Sequence, residues 1–267
     1  MNQRKVCIFT NETKVSLETE ILLKRKFEDS GFSVLPDFSL DAELIVCIGG
    51  DGAFLQTVHE YDFPSVPIIG INTGHLGFFQ EIQPTQLDDF IFHYKQGKYT
   101  IQHLSTVKAT ATIAGEKVVL RGLNEIIIRG DQSYSIHLNI SIGGSFIERF
   151  SGDGILVATP AGSTAYNYSL GGSIVDPRLN LLQLTPIAPM NTTAYRSFTS
   201  SILLPTNSSL GIIPEYTKGH GVQIVVDGMK YDYKDLECVS IALSKKEIKL
   251  LRFENYDFWS KVKSKFL

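Results

Sequence analysis

The chain has three cysteines, one tryptophan and three methionines, and lacks any excess of basic residues. The cysteines, Cys7, Cys47 and Cys238, lie in the apolar runs KVCIFT, LIVCIGG and ECVSIAL. A thiol in such a run behaves as a small buried hydrophobe, so all three are expected to be buried and inert. Their odd number and the lack of CxxC spacing exclude a disulfide framework and a zinc ribbon. None of the six histidines has HExxH or HxxxH spacing, so no protein-held zinc or other metal site is expected. Lys and Arg number 25 against 28 Asp and Glu, a formal charge of −3. That balance does not suit a surface that tracks nucleic-acid phosphates. The N-terminal MNQRKVCIFTNETK has no apolar core of signal-peptide length. The one long charge-free stretch, GILVATPAGSTAYNYSLGGSIV at 154–175, is too rich in glycine, proline and hydroxyls to span a membrane. These features predict a cytoplasmic protein, without membrane or nucleic-acid partners, whose 267 residues form one large domain or two modest ones.

The first hundred residues alternate strands with helices. Strands are expected at Val6–Thr10, Phe32–Leu35, Leu44–Ile48 and Val66–Ile71, and helices at Ser16–Ser30 and Ala53–Tyr61. Leu17, Ile21, Leu22 and Phe27 are expected on the buried stripe of the first helix, with Gly31 ending it. Such alternation builds a parallel sheet. Beyond Gln102 closely spaced strand patterns take over, at Lys108–Ile113, Lys117–Leu120, Glu125–Arg129, Ser135–Ile142 and Ser145–Phe150. Gly143-Gly144 and Asp227-Gly228 sit where two-residue hairpin turns with positive φ are needed. The expected fold class is α/β plus all-β: a Rossmann-like parallel-sheet domain over 1–101, onto which a C-terminal helix within 250–267 docks back, and a mostly antiparallel, β-sandwich-like domain over 102–249. Without a flexible linker at the boundary the two should pack tightly.

Gly49-Gly50-Asp51-Gly52 follows the strand ELIVCI. Glycines at a strand's carboxyl end let backbone approach a ligand and leave amides free for phosphate, with a helix dipole behind them. The tetrapeptide alone fits equally well a tight turn whose Asp caps the helix. A second glycine cluster, Gly70 to Phe78 (GINTGHLGF), falls on the same sheet edge, where ligands bind in open α/β sheets. Asn124-Glu125 opens a strand and could clasp vicinal hydroxyls, although such pairs are usually solvated turns. Thr159 to Tyr166 (TPAGSTAY) is too polar for a core strand and too uncharged for an exposed loop, and suits a pocket wall or a self-bonded loop. Walker A, GxGxxG and GxSxG signatures do not occur.

Taken together, GGDG at 49–52, GINTGHLGF at 70–78, NE at 124–125, GDG at 152–154, TPAGSTAYNYSLGG at 159–172 and DG at 227–228 resemble the NAD kinase family, the inorganic polyphosphate/ATP-NAD kinases. GGDG alone is shared with diacylglycerol, sphingosine and 6-phosphofructokinases; the TPxGSTAY segment separates them. The resemblance implies transfer of the terminal phosphoryl group of ATP, or of polyphosphate, to the 2′-hydroxyl of the adenosine ribose of NAD, with Mg²⁺ accompanying the nucleotide. It makes Asp51 the catalytic base and Gly49, Gly50 and Gly52 a phosphate-binding turn. It assigns to NAD the residues Asp51, Gly52, Asn72, Asn124, Glu125, Asp153, Ala161, Thr164, Ala165, Tyr166, Asn167, Ser169, Ala188 and Asp227. It also implies a homo-oligomer, dimer or tetramer, in which a neighbouring subunit supplies part of the wall, and a site in the cleft between the domains. The sequence departs from the family pattern at Ala53, where Thr is common, at Ser151, where Arg is common, and at Met229, where Gln often follows the DG turn. A lipid kinase of the GGDG superfamily and a non-catalytic dinucleotide sensor are the competing readings; the polar pocket segment argues against the first and Asp51 against the second.

Overall fold

The computed structural model describes residues 3–131, 134–216 and 221–266. The chain divides into two compact units, Met1–His103 with Glu247–Leu267, and Leu104–Lys246. No helix among the described residues is long and apolar enough to cross a membrane.

In the first unit, β1 (Arg4–Thr10), β2 (Phe32–Leu35), β3 (Leu44–Gly49) and β4 (Ile68–Asn72) pair in parallel in the order β2-β1-β3-β4. The short β5 (Gln80–Ile82) adds to β4, again in parallel. Every residue of β3 and β4 is buried, as expected of strands covered on both faces. The covering helices are α1 (Lys14–Asp29), α2 (Asp51–Glu60) and α3 (Leu87–Lys95), and one core joins Phe27, Leu44, Val46, Ile69 and Phe90.

Helix α1 turns a different face inward from the one its most hydrophobic residues suggest. Ser16, Thr19, Leu23 and Phe27 are buried, whereas Leu17, Ile21 and Leu22 are exposed. Phe27 lies six residues beyond Ile21, about 240° around the helix, so the two cannot share a stripe; Leu23 lies one turn from Phe27 and does. The small Ser16 and Thr19 let the helix lie close: Ser16 Oγ meets Thr73 Oγ1 at 2.6 Å, and Thr19 bonds back to the Val15 carbonyl.

In the second unit, β9 (Ile136–Ile142), β10 (Ser145–Gly152), β14 (Leu210–Glu215) and β17 (Leu236–Arg252) are antiparallel in the order β10-β9-β14-β17, with β6 (Thr100–Ile113) and β7 (Glu116–Gly122) alongside β17. Strands β6 and β17 each run on into the first unit. The second sheet has the order β13-β12-β11-β8-β15-β16, from β8 (Glu125–Gly130), β11 (Gly154–Ala158), β12 (Leu181–Ile187), β13 (Ile202–Pro205), β15 (Val222–Val226) and β16 (Met229–Tyr233). Val107, Leu138, Ile212 and Val239 from one sheet pack with Ile126, Ile155, Leu184 and Ile224 from the other, as in a sandwich.

Both expected hairpin turns have two residues at positive φ, +58° and +85° at Gly143-Gly144 and +47° and +90° at Asp227-Gly228. A third, Ala114-Gly115, adopts the same geometry at +49° and +82°. Cys7 and Cys47 are buried as expected, but Cys238 is only half-buried: Val239 takes the core-facing position on β17 and turns its neighbour away from the core.

Candidate active site

In the first unit β3 delivers the chain into Gly50, the N-cap of α2, which has no side-chain cap bond among the described residues. Asp51 does not cap the helix it opens. Its Oδ2 accepts the Phe78 N–H at 2.9 Å and its Oδ1 the Phe79 N–H at 3.1 Å. The carboxylate thereby ties the GGDG turn to the end of the second glycine cluster. Gly77 makes this possible, because a Cβ there would lie 2.2 Å from Asp51 Oδ1. Within the same cluster Asn72 Oδ1 accepts the Gly74 N–H at 3.0 Å, and the Thr73 N–H bonds to the Gly49 carbonyl at 3.2 Å. Asn72 is therefore buried and shapes its loop.

The other side of this loop is held by residues that no local pattern announces. Arg252, at the end of β17, donates to the carbonyls of Phe78 (3.0 Å) and Phe79 (3.3 Å) and pairs with Glu81. Helix α5 (Phe258–Phe266) places Lys261 on the carbonyls of Gly77 and Gln80. Burial, with the nearby Arg252 charge, pushes the Lys261 pKa down to about 8. From the last turn of α5, Lys265 Nζ stands 3.7 Å from Asp51 Oδ2. Gln80 completes the arrangement by donating to the Gly50 carbonyl at 2.7 Å.

In the second unit the DG turn and the NE pair form a single construction. Asp227 accepts the N–H groups of Leu123 (2.6 Å), Asn124 (2.8 Å) and Glu125 (3.0 Å). These bonds fix the start of β8. Asn124 and Glu125 are each only 7% exposed, so the pair is a buried construction and not a solvated turn. Asn124 Oδ1 and Glu125 Oε2 have no hydrogen-bond partner among the described residues. Buried polar atoms are nearly always paired, so these two oxygens are positions where water or a bound molecule would complete the hydrogen bonding.

The TPAGSTAY segment packs directly over them. It folds as a short 3₁₀ turn at Ala161–Thr164 followed by α4 (Tyr166–Ser169). Thr159 donates its hydroxyl to the Leu123 carbonyl and its N–H to that of Asn124. A Cβ on Gly162 would lie 2.0 Å from the Asn124 carbonyl oxygen, so only glycine permits this approach. Asn167 is wholly buried, donating to the Ser163 and Ser173 carbonyls and accepting from Thr185. Its amide thus positions the loop from within. Thr164 is buried, Ala161 and Ala165 are half-buried, and Tyr166 and Ser169 are exposed.

Asp153 and Ala188 lie elsewhere. Both are exposed, and the Asp153 N–H bonds to Ile187, at the far end of β11 from the residue that pairs with Glu125. At about 3.4 Å per strand residue the two ends are roughly 15 Å apart. Ser151 is fully buried and 2.8 Å from His137 Nδ1, so this departure from the family pattern is accommodated by a partner of its own.

Residues 4–99 match the model of the ATP-NAD kinase N-terminal domain and residues 123–253 that of the ATP-NAD kinase C-terminal domain. The chain belongs to the ATP-NAD kinase family. Among this family's members, the NAD kinase of Finegoldia magna is 38% identical over 273 residues, covering 100% of this chain and 99% of its own. The NAD kinase of Latilactobacillus sakei is 30% identical, covering 98% and 97%. In fold the chain is similar to yeast NADH kinase complexed with NADH, with a TM-score of 0.86 at 21% identity over 98% of this chain and 87% of that one. It is also similar to an NAD kinase from Archaeoglobus fulgidus in complex with ATP, with a TM-score of 0.77 at 23% identity over 97% and 99%.

The buried Glu125 gives this ATP-NAD kinase chain a pH signature. Burial, reinforced by the Asp227 charge, pushes its pKa from 4.5 up to about 8. The folded state then holds a proton that the unfolded chain releases, so the contribution of this one group to stability is fully present below pH 4.5 and is lost as the pH rises through about 8. Glu125→Gln abolishes this slope. Urea unfolding is expected to show the variant gaining on the wild type by about 2–4 kcal/mol between pH 5 and pH 8.5. A gap that stays constant over that range would show that Glu125 does not carry the proton.

Proposed function

We propose that the protein is an NAD kinase that transfers the terminal phosphoryl group of ATP to the 2′-hydroxyl of the adenosine ribose of NAD, giving NADP. The observation that carries this reading is the buried Asn124-Glu125 pair, held rigid by Asp227 and left with two open oxygens. Such a pair bonds the hydroxyl and amino groups of a nucleoside, with the Glu125 carboxyl able to donate when protonated and to accept when ionised, and its burial makes an unpaired alternative costly.

Asp51 serves as the base. It accepts the 2′-hydroxyl proton as the new oxygen–phosphorus bond forms and the bond to the leaving ADP oxygen breaks, an effect worth about 10²–10⁴ in rate. Gly49, Gly50 and Gly52 offer the backbone turn to phosphate, with the dipole of α2 behind it. Among the described residues no three His, Cys, Asp or Glu side chains converge as a metal cage. Mg²⁺ arriving with the nucleotide would screen the charge of its phosphates. Tyr166, with Ala161, Thr164, Ala165 and Ser169, walls the dinucleotide. The position of Asp153 and Ala188, at the other end of β11, supports a homo-oligomer in which they receive the dinucleotide of a neighbouring subunit. The enzyme is assigned to the cytoplasm, and polyphosphate is a second candidate donor.

The test is incubation of purified protein with NAD and either MgATP or polyphosphate. NADP should accumulate with at least one donor. Binding of NAD without turnover would favour a sensor, and phosphorylation of a sphingoid base or diacylglycerol in place of NAD would favour a lipid kinase.

A further inference from the structure

Three cations of the C-terminal segment approach the loop that Asp51 holds, and they are used differently. Arg252 is buried on the carbonyls of Phe78 and Phe79, and Lys261 sits on those of Gly77 and Gln80. Both are structural struts. Lys265 instead faces the Asp51 carboxylate at 3.7 Å, and its ammonium lies 5.0 Å from the centre of the Phe78 ring. That separation from Asp51 is too long for a hydrogen bond. The side chains of Lys265 and Asp51 are 34% and 28% exposed, so a ligand can reach both. A half-exposed ion pair of this kind adds little stability.

The position is fixed all the same. Phe258 and Phe266, at the two ends of α5, both pack on Phe78, at 5.7 and 5.9 Å between ring centres. The helix is thereby held against the very residue whose N–H Asp51 accepts.

We propose that Lys265 is a substrate-binding residue that contacts the terminal phosphate of the phosphoryl donor, a nucleoside triphosphate or a polyphosphate chain. The inference rests on the reading of Asp51 as the base. If Asp51 accepts the proton of the attacking hydroxyl, the phosphorus must come within a few ångströms of its carboxylate. A phosphate brought that close to a carboxylate is repelled unless a cation accompanies it, and the charge on its oxygens must be met as the leaving group departs. Lys265 supplies that charge from a mobile stem that can turn its ammonium from Asp51 to the phosphate.

Binding is read by isothermal titration calorimetry. Inorganic tripolyphosphate is titrated into the wild type, Lys265→Met and Lys265→Arg, and NADP formation is measured with ATP and with polyphosphate. Lys265→Met should bind tripolyphosphate at least tenfold more weakly and turn over at least thirtyfold more slowly, with an unchanged KM for NAD and unchanged thermal unfolding. Lys265→Arg should recover much of both losses, and the donor whose turnover falls identifies the source of the phosphate. Tripolyphosphate binding to Lys265→Met within twofold of wild type, or a loss confined to the KM for NAD, overturns the proposal. If the wild type forms no NADP while tripolyphosphate binding still depends on Lys265, the anion site stands and the kinase reading fails.

Discussion

Asp51→Asn is expected to lower the rate of NADP formation by about 10²–10⁴. The amide cannot take up the hydroxyl proton, so the loss should fall on kcat. The substitution also reaches the loop. The carboxylate presents two acceptors to two amides, those of Phe78 and Phe79, whereas Asn presents one acceptor and one NH₂. The second amide then faces a donor, and that end of the loop loosens. Measuring the NAD dissociation constant beside kcat separates the two consequences: a base predicts a fall in kcat with NAD affinity held within about tenfold. A variant that keeps more than a tenth of the wild-type kcat would remove Asp51 from the chemistry and leave it as the anchor of the Phe78–Phe79 segment.

The second large effect is expected at Asp227, at the tip of a hairpin. Asp227→Ala strands three N–H groups at the head of β8 and places a Cβ-bearing residue without a polar side chain at φ +47°. Each buried donor left unpaired costs about 1–3 kcal/mol, reduced here because the half-buried site admits water. A loss of about 2–4 kcal/mol in urea unfolding is expected, with a tenfold or greater rise in KM for NAD as Asn124 and Glu125 lose their orientation. Asn tolerates the left-handed conformation and keeps one acceptor, so Asp227→Asn should lie between Ala and wild type. Equal effects of Ala and Asn would mean that the negative charge, and not the hydrogen bonding, is what the turn supplies.

Much of this architecture is written locally. The strand–glycine–helix junction at 44–52, the parallel strands of the first hundred residues and the glycine hairpins were all legible, because each depends on neighbours in sequence. The Ala114-Gly115 turn is less visible, since alanine has no preference for positive φ. The inward face of α1 is hidden from a count of hydrophobic residues because phase decides it: Ser16 and Thr19 are poor core residues by composition but lie on the stripe that Leu23 and Phe27 define. Helix α3, absent from the expected elements, nonetheless has a local signal, Leu87, Phe90, Ile91 and Tyr94 at helical spacing. At the candidate site the motif residues were identifiable and their division of labour was not. Asn167 and Asn72 shape their own loops, Asp227 orients its neighbours, and Arg252, Lys261 and Lys265 arrive from more than 170 positions along the chain. Contacts of that range leave no periodicity or spacing in the sequence.

Hairpin tips are ordinarily where a fold absorbs change, because little depends on them. The tips at 143–144 and 227–228 share a backbone shape, yet of these two only the second grips another strand through its side chain. Length variation, epitope insertion and fluorescent labelling should be harmless at the first and ruinous at the second. A turn that looks expendable is thus under close geometric constraint, and an engineer seeking a permissive loop should choose between the two accordingly.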